Sequence, residues 1–252
     1  MERTTSIADH VPYFTWGYDR IQGALANVGY RISDSTVANI LKQHGIEPAP
    51  QRGKTESWAT FLRSHWETIG AIDFTTVEVW TRGGLVTFYV LVAMRLKSRE
   101  IVVAGVTASP DAAWVRQMAR NLTSDEDGFL AGTTHLILDR DTKFVPLRRY
   151  LEEHTAVKPM LLPPRSPDLN AHLERQFRSM KSECLDRLIF FRERSLRRAL
   201  RQWVAHYHAE RNHQGLGNQL ITPQDQGESS AGEVQRIERL GGLLRYYHRR
   251  AA

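Results

Sequence analysis

The sequence contains very little cysteine and no long apolar run. Cys184 is the only cysteine among the 252 residues, which excludes an internal disulfide and any multi-cysteine zinc site. No apolar run approaches the ~20 residues of a membrane-spanning helix, and residues 1–6 lack the apolar core of a signal peptide. We therefore predict a cytoplasmic protein with no membrane partner. Cys184 is predicted to be a buried structural thiol, because its helical spacing places it beside Met180 and Leu188.

The charge balance favours the positive sign. Lysine and arginine number 34 against 28 acidic residues, which gives a net charge of +6. A basic surface favours polyanions, and nucleic acid is the usual one; a solvated surface without a partner is the alternative. At this length the chain can bury one large core and carry a smaller appendage.

Two short helices are predicted near the N-terminus. Apolar residues recur at helical spacing from Ile21 and stop at Gly29, and Ser33 is a good N-cap for a second helix that ends near Gly45. Helix, short turn and capped helix is the pattern of a helix-turn-helix, although any small helical hairpin shares it. Opposite its apolar side, the second helix carries a polar face that could enter a major groove: Ser35, Asn39, Lys42 and Gln43.

The middle of the chain changes from helical to strand-like periodicity. After a Pro- and Gly-containing stretch over 46–56 and a short amphipathic helix reaching Trp66, three strand-like runs are followed by alternating helices and strands. This order indicates an α/β domain with a mixed sheet flanked by helices. The predicted strands are 71–79, 85–96, 101–107, 134–139 and 157–162, and the predicted helices run from Asp111 to Leu122 and over 146–154, 169–188 and 194–211.

Three acids stand where a carboxylate is hard to explain by packing alone. Asp73 lies inside the apolar run 71–74, Asp139 ends another apolar run, and Glu174 opens a long helical pattern. A charge beside a buried strand costs several kcal/mol unless it is paired or binds a metal. Two strand acids and one helix acid could converge on a divalent cation, and such sites carry out phosphoryl-transfer chemistry.

Several motifs contain or flank these acids. They are Ile72-Asp73-Phe74-Thr75, Asp139-Arg140-Asp141-Thr142-Lys143-Phe144, the run from Ser166 to Arg175, and the run from Tyr207 to Leu216. Together they resemble the integrase catalytic core that retroviral integrases share with the transposases of bacterial insertion sequences. Upstream, Trp16-Gly17-Tyr18 and the run from Arg31 to Val37 resemble the DNA-binding region that precedes such cores. The resemblance extends over residues 14–225, and the ordered set is specific although each motif alone is weak.

The resemblance implies a ribonuclease-H-like fold, preceded here by the helix-turn-helix segment. It implies that Asp73, Asp139 and Glu174 form a catalytic triad that binds two Mg²⁺ (or Mn²⁺) ions per active site. Members of the family cleave a DNA 3′ end and join it to target DNA. The implied partners are therefore double-stranded DNA, as element ends and as target, and further copies of the chain in a dimer or tetramer. A nucleoid-associated location in a bacterial cytoplasm is implied as well.

Four segments follow from these patterns and from the resemblance. Residues 1–46 are predicted to be the helix-turn-helix-like DNA-binding segment, 47–66 the linker and short helix, and 67–225 the integrase catalytic core. Residues 226–252 are predicted to be a basic C-terminal tail, in which Leu240–Arg250 forms a partial strand.

Further residues receive roles around Glu174. Arg178 and Lys181 follow it by four and seven positions on the same helical face, and matching positions in the family contact the DNA end; an ordinary solvated face is the alternative. Asp141 departs from the Asp-Asn-Gly pattern common in relatives, and we interpret it as a supporting acid or salt-bridge partner. Asn170 is expected to help shape the active-site turn.

Two clusters have competing interpretations. Six arginines between residues 187 and 201 accompany one acid, Glu193, which favours phosphate contact for some of them and solvation for the others. His206, His208 and His213 are not spaced to share one helical face, so structural or DNA-facing roles are favoured over a metal site.

Two other functions are compatible with the sequence. A metal-dependent nuclease on the same fold would hydrolyse DNA without joining strands, and a catalytically silent, domesticated or decayed copy would only bind DNA. The intact triad argues against the silent copy. The N-terminus favours truncation, since relatives often carry another helical module before Trp16.

Overall fold

The computed structural model describes residues 18–27, 29–44, 58–162, 171–223 and 233–249. The chain divides into two compact units, residues 1–61 and 62–252. The linker predicted over 46–56 and the residue Asn170 lie outside the described residues. In the described ranges, no helix is both long enough and apolar enough to cross a membrane.

The first unit contains the two predicted helices, α1 (Tyr18–Asn27) and α2 (Asp34–Gln43). Gly29 takes a positive φ of 93° after α1, a conformation that glycine adopts without steric cost. Ser33 caps α2 as predicted, since its side chain accepts a hydrogen bond from the backbone N–H of Thr36 at 3.2 Å. Val37 is buried, whereas the polar residues assigned to the DNA-facing side of α2 are all exposed: Ser35, Asn39, Lys42 and Gln43.

The second unit is built on a mixed sheet. Its strands are β1 (Ile69–Thr81), β2 (Gly84–Arg95), β3 (Ile101–Thr107), β4 (His135–Leu138), β5 (Lys158–Leu161) and β6 (Phe190–Phe191). The first five lie in the order β3-β2-β1-β4-β5, and β6 also pairs with β1. The strands β1, β2 and β3 form an antiparallel meander, and β4 and β5 run parallel to β1. The predicted α/β class with a mixed sheet is confirmed, and this strand order agrees with the ribonuclease-H-like fold that the resemblance implies.

Helices flank this sheet. Two of them, α4 and α5, pack with alternate residues of β1, Ile72 and Phe74, in the main apolar cluster. Because successive strand residues face opposite sides, Asp73 belongs to the other face of β1, and α6 and α7 both contact β1. The helices are α3 (Trp58–His65), α4 (Ala112–Leu122, capped by Asp111 as predicted), α5 (Val145–His154), α6 (Ala171–Glu183) and α7 (Arg192–Ala209).

The C-terminal region differs from the predicted partial strand and tail. It forms an antiparallel hairpin of β7 (Val234–Arg239) and β8 (Leu244–Arg249). The sequence did not indicate β7, because its less exposed positions, Gln235, Ile237 and Arg239, include one apolar residue only. Arg239 anchors the hairpin through an ion pair of 2.6 Å with the buried carboxylate of Glu210 at the end of α7.

The three histidines of the α7 region have structural partners. The Nδ1 atom of His206 lies 2.9 Å from a carboxylate oxygen of Glu210, and the Nε2 atom of His213 lies 2.8 Å from the carbonyl oxygen of Tyr207. His208 accepts a hydrogen bond from the backbone N–H of Ile101 at 3.1 Å. Each of the three histidines thus has a hydrogen-bond partner within the fold.

The predicted burial of Cys184 is confirmed, because the residue has no exposed surface. Burial raises the pKa of its thiol to about 12, so the reactive thiolate is essentially absent near neutral pH. We expect an aromatic disulfide reagent at pH 8 to leave the native protein unmodified and to label one thiol after denaturation in guanidinium. Rapid labelling of the native chain, with its far-UV circular dichroism unchanged, would contradict this expectation.

Candidate active site

The first acid of the site is held by the central strand. Asp73 lies within β1, paired in register with Val92 of β2, and it directly follows Ile72, the last residue of β1 that pairs with β4. Its carboxylate oxygen Oδ1 accepts a hydrogen bond of 2.7 Å from the backbone N–H of Phe74. Asp73 is therefore a partly buried acid on a rigid element, which suits a ligand that must be placed precisely.

The second acid follows from the register of the parallel pair. Ile72 of β1 is opposite Leu138, the last residue of β4. Continuing this register by one residue places Asp139 beside Asp73, with both side chains on the same face of the sheet. Asp139 is exposed, and its Oδ1 accepts a hydrogen bond of 2.6 Å from the backbone N–H of Arg140.

The third acid comes from a helix that crosses this face. Glu174 lies in the first turn of α6, a helix that contacts β1. Leu173, Phe177 and Met180 are the buried residues that dock α6, which leaves Glu174 exposed at the edge of that apolar stripe. A helix N-terminus also favours a carboxylate through the partial positive charge of its free N–H groups.

The pKa of Asp73 reflects both its burial and its acidic neighbours. The pKa of its carboxyl is raised to about 6, first by burial and then by the neighbouring charges of Asp139, Glu174 and Asp141, against the lowering effect of the Phe74 N–H. A neighbouring negative charge disfavours the ionised form of a carboxyl and so raises its pKa. A nearby cation would therefore stabilise the ionised form of the Asp73 carboxyl.

The donor set fits a hard divalent cation. Carboxylate oxygens on separate elements are the ligands that Mg²⁺ and Mn²⁺ prefer, and the repulsion that raises the pKa of Asp73 is what such a cation would neutralise. Within the described residues, no group of three or more His, Cys, Asp or Glu side chains is spaced so that it could already hold a metal ion.

The neighbouring acid Asp141 has a partner of its own. Its carboxylate lies 2.8 Å from the Nζ atom of Lys143 and also accepts a hydrogen bond from the backbone N–H of that residue. These two hydrogen bonds lower the pKa of the Asp141 carboxyl. The structure thus brings Asp141 to the site as a salt-bridge partner of Lys143, whose ammonium group also lies 5.7 Å from the ring centre of Tyr89.

Basic residues that the sequence analysis did not single out line the same region. A cleft of about 160 Å³ beside Asp139 and Asp141 is lined in part by Arg140 and Arg148. The Nε atom of Arg140 donates a hydrogen bond of 2.6 Å to the carbonyl oxygen of Leu162, which connects the residue after Asp139 to the residue after β5. The signal in the sequence was only that Arg140 follows Asp139 directly.

The arginine cluster of residues 187–201 divides into two kinds. Arg187 donates to the carbonyl oxygen of Ser182 at 3.0 Å, and Arg197 donates to Glu193 at 2.6 Å and to the carbonyl oxygen of Val106 at 2.7 Å. These contacts serve the fold. The other four arginines of the cluster are exposed: Arg192, Arg194, Arg198 and Arg201. On α6, Arg178 is exposed and Lys181 is half-buried, and both follow Glu174 along one side of the helix.

A family model described as "Integrase core domain" matches residues 155–223. The matched segment includes Glu174, the helices α6 and α7, and the motif from Tyr207 to Leu216; Asp73 and Asp139 lie outside it. The resemblance to an integrase-type core is confirmed over this segment. No curated protein matches the chain.

Two solved structures are similar to part of the chain. The catalytic core domain of BIV integrase is 16% identical, with a TM-score of 0.40 over 62% of this chain and 91% of that chain. A chain of the simian T-cell lymphotropic virus intasome in complex with PP2A regulatory subunit B56 gamma is 13% identical, with a TM-score of 0.43 over 72% of this chain and 66% of that chain.

Proposed function

We propose that the chain is a DDE transposase or integrase that cleaves DNA 3′ ends and transfers them to target DNA with the help of divalent metal ions. The observation that carries the proposal is the raised pKa of Asp73, which burial and then the neighbouring charges of Asp139 and Glu174 bring to about 6. The match of residues 155–223 to the integrase core domain supports it independently.

In this proposal Asp73, Asp139 and Glu174 hold two Mg²⁺ or Mn²⁺ ions. When bound, such ions lower the pKa of an attacking water or 3′-hydroxyl and stabilise the leaving oxygen. The protein contributes placement: two ligands come from neighbouring strands with a fixed register, and the third comes from a helix docked on the same face. Lys143 keeps Asp141 charged and paired, so that this extra carboxylate does not compete for the same cations.

DNA would lie along the exposed basic side of α6. Arg178 and Lys181 follow Glu174 on that side and are placed to contact phosphates near the reacting bond. The exposed polar residues of α2, Ser35, Asn39, Lys42 and Gln43, would contact bases or phosphates of the element ends. A dimer or tetramer would act on two ends at once, in the bacterial cytoplasm where the DNA substrate is.

The experiment that tests the proposal is a strand-transfer assay. It combines the full chain with a labelled element-end duplex and a plasmid target, with Mg²⁺ or Mn²⁺ and with EDTA as the metal-free control. Joined products that require the metal would support a recombinase. Metal-dependent nicking without joining would replace the proposal by a nuclease, and DNA binding without chemistry under either metal would replace it by a DNA-binding protein.

The basic side of α6 gives a separate prediction. Arg178→Ala should weaken binding to element-end and unrelated duplexes alike, and should reduce the slope of log K against log salt concentration by about one, since one phosphate contact is lost. Fluorescence anisotropy between 50 and 200 mM salt measures both quantities. Arg82→Ala, at the exposed tip of the β1–β2 hairpin, is the control and should leave the slope unchanged. Equal effects of the two substitutions would contradict a phosphate contact, because Arg178 would then affect DNA binding only through the net charge of the protein.

A further inference from the structure

A second and larger cavity lies away from the three acids. It has a volume of about 430 Å³ and is bounded by the turn after β2, by α6 and by the segment after α7. Side chains that matter for its chemistry are Arg99, Arg175, Gln176, Ser179 and Arg211. None of the residues Asp73, Asp139 and Glu174 lines it.

The helix α6 separates this cavity from the candidate active site. Glu174 and Gln176 are two positions apart, and helical geometry places them about 160° apart around the helix axis. Arg175, Gln176 and Ser179 line the cavity, whereas Glu174 and Arg178 point to the other side of the buried stripe formed by Leu173, Phe177 and Met180. One helix thus serves two distinct sites.

The cavity carries an excess of positive charge. The guanidinium group of Arg211 is paired with Glu183 at 2.9 Å. In the part of the chain that the structure describes, neither Arg99 nor Arg175 forms an ion pair with a carboxylate. Burial lowers the pKa of Arg99, and the nearby charge of Arg175 lowers it further. Two cations that repel each other across a cavity mark a place for an anion.

Unpartnered polar atoms line the same cavity. Gln176 is 3% exposed. Among the residues that the structure describes, neither its Nε2 nor its Oε1 atom has a hydrogen-bond partner, and the buried Nη1 atom of Arg99 has none either. A buried amide or guanidinium group that lacks partners costs free energy, so such groups are retained where something else satisfies them. Both side chains line the cavity, so a ligand that reached these atoms would satisfy the amide and the guanidinium group together.

We propose that this cavity binds a phosphate group, carried either by a nucleic-acid strand or by a free phosphate compound. Guanidinium groups match phosphate oxygens in a bidentate arrangement, and the Nε2 atom of Gln176 can donate to a further oxygen. Arg99 is held for this purpose, since its guanidinium carbon lies 5.2 Å from the ring centre of Trp66. A cavity of about 430 Å³ exceeds the size of a bare phosphate and leaves room for an attached sugar.

The test is a titration of the full ¹⁵N-labelled chain followed through its arginine Nε–H and glutamine side-chain amide signals. The probes are inorganic phosphate and a short single-stranded DNA, with sodium chloride added to keep the ionic strength constant. We expect saturable shifts of the Gln176 amide and of the Arg99 and Arg175 signals. Saturation by phosphate alone would identify a free phosphate compound as the source, saturation by DNA alone a phosphodiester, and competition between the two a site open to both.

Three variants decide whether the binding is specific. Arg175→Gln and Gln176→Leu should each weaken phosphate binding by about tenfold or more, because each removes a donor to the oxyanion. Arg82→Gln changes the net charge equally at a distant hairpin and should leave binding within about twofold of wild type. Gln176→Leu should fold at least as stably as wild type, since it removes two buried polar atoms that have no hydrogen-bond partner among the described residues. Arg175→Gln changes an exposed residue, so it tests phosphate binding even if Gln176→Leu does not fold.

The proposal would be overturned by the absence of saturable shifts with both probes, or by equal weakening in Arg82→Gln and Arg175→Gln. It does not depend on the proposed catalysis. Asp73→Asn should retain phosphate binding while losing DNA cleavage, so failure at one site is distinguishable from failure at the other.

Discussion

Glu174→Gln is expected to abolish metal-dependent DNA cleavage and joining, by about 10³-fold or more. The substitution replaces a carboxylate by an amide of nearly the same size, so it removes a metal ligand and little else. Loss of several kcal/mol of charge stabilisation at the reacting phosphate accounts for a factor of this size. Single-turnover cleavage of an element-end duplex in Mg²⁺ and in Mn²⁺ measures the loss.

The fold and DNA affinity of this variant should be preserved. Glu174 is exposed, so its replacement should change the free energy of unfolding by no more than about 0.5 kcal/mol. Removing a negative charge near DNA should leave duplex affinity equal or slightly higher. Glu126→Gln, an exposed acid in the loop after α4, is the matched control and should retain full activity. Full activity in Glu174→Gln would remove this residue from the triad.

Asp73→Asn is expected to have opposite effects on activity and on stability. Cleavage should be lost, as for Glu174→Gln. In the absence of divalent metal at pH 7.5, however, the variant should be more stable than wild type by about 2–3 kcal/mol, because it removes a carboxylate that is charged against its environment. In a chain of this length that gain raises Tm by roughly 5–10 °C.

The pH dependence follows from the pKa of Asp73, which is about 6 in the folded protein against an ordinary value of 3.8. Below about pH 4 the carboxyl is protonated in both states and contributes no difference. Between about pH 4 and pH 6 the unfolded chain releases a proton that the native state retains, so stability decreases as the pH rises. Above about pH 6 the full cost is present. The stability difference between Asp73→Asn and wild type should therefore be small at pH 4 and largest above pH 6.

Divalent metal should reverse the comparison. A cation that binds the native site stabilises wild type at pH 7.5, and the stabilisation grows with its concentration. Asp73→Asn, which lacks a ligand, should respond little. Thermal unfolding of wild type and Asp73→Asn at pH 4.5 and pH 7.5, with and without 10 mM Mg²⁺, measures both the stability difference between the two proteins and the response of each to the metal. A wild type that is unaffected by metal at pH 7.5, or a variant that is less stable than wild type without metal, would contradict a metal role for Asp73.

The sequence predicted much of the fold because its hydrophobic periods are clear. The strand β3 has the predicted bounds, and β1 and β2 are within two residues of theirs. The end of α6 was wrong: the apolar residues Leu185 and Leu188 continue the helical pattern, yet the helix ends at Glu183. Beyond it Phe190 and Phe191 pair with Val79 and Trp80 of β1. A two-residue strand is stabilised by its partner strand and leaves no periodic signal.

The sequence by itself determined which acids belong to the candidate site. Their positions in an apolar run, after an apolar run and at the start of a helix are local features, which can be recognised from the sequence alone. The distances between the three side chains cannot be recognised in this way. The parallel register of β1 with β4 brings Asp139 beside Asp73, and burial together with that proximity raises the pKa of Asp73.

The cavity of the proposed phosphate site is formed only by the tertiary structure. Arg99 and Arg175 are far apart in the sequence. Among the described residues the side-chain amide of Gln176 has no hydrogen-bond partner, and its position inside α6 does not indicate this. Whether a polar side chain finds a partner depends on packing from several elements at once, because hydrogen bonds and desolvation are set by the few ångströms around each atom. For that reason the sequence predicted the chemistry of the three acids, but it did not predict the proposed phosphate-binding cavity.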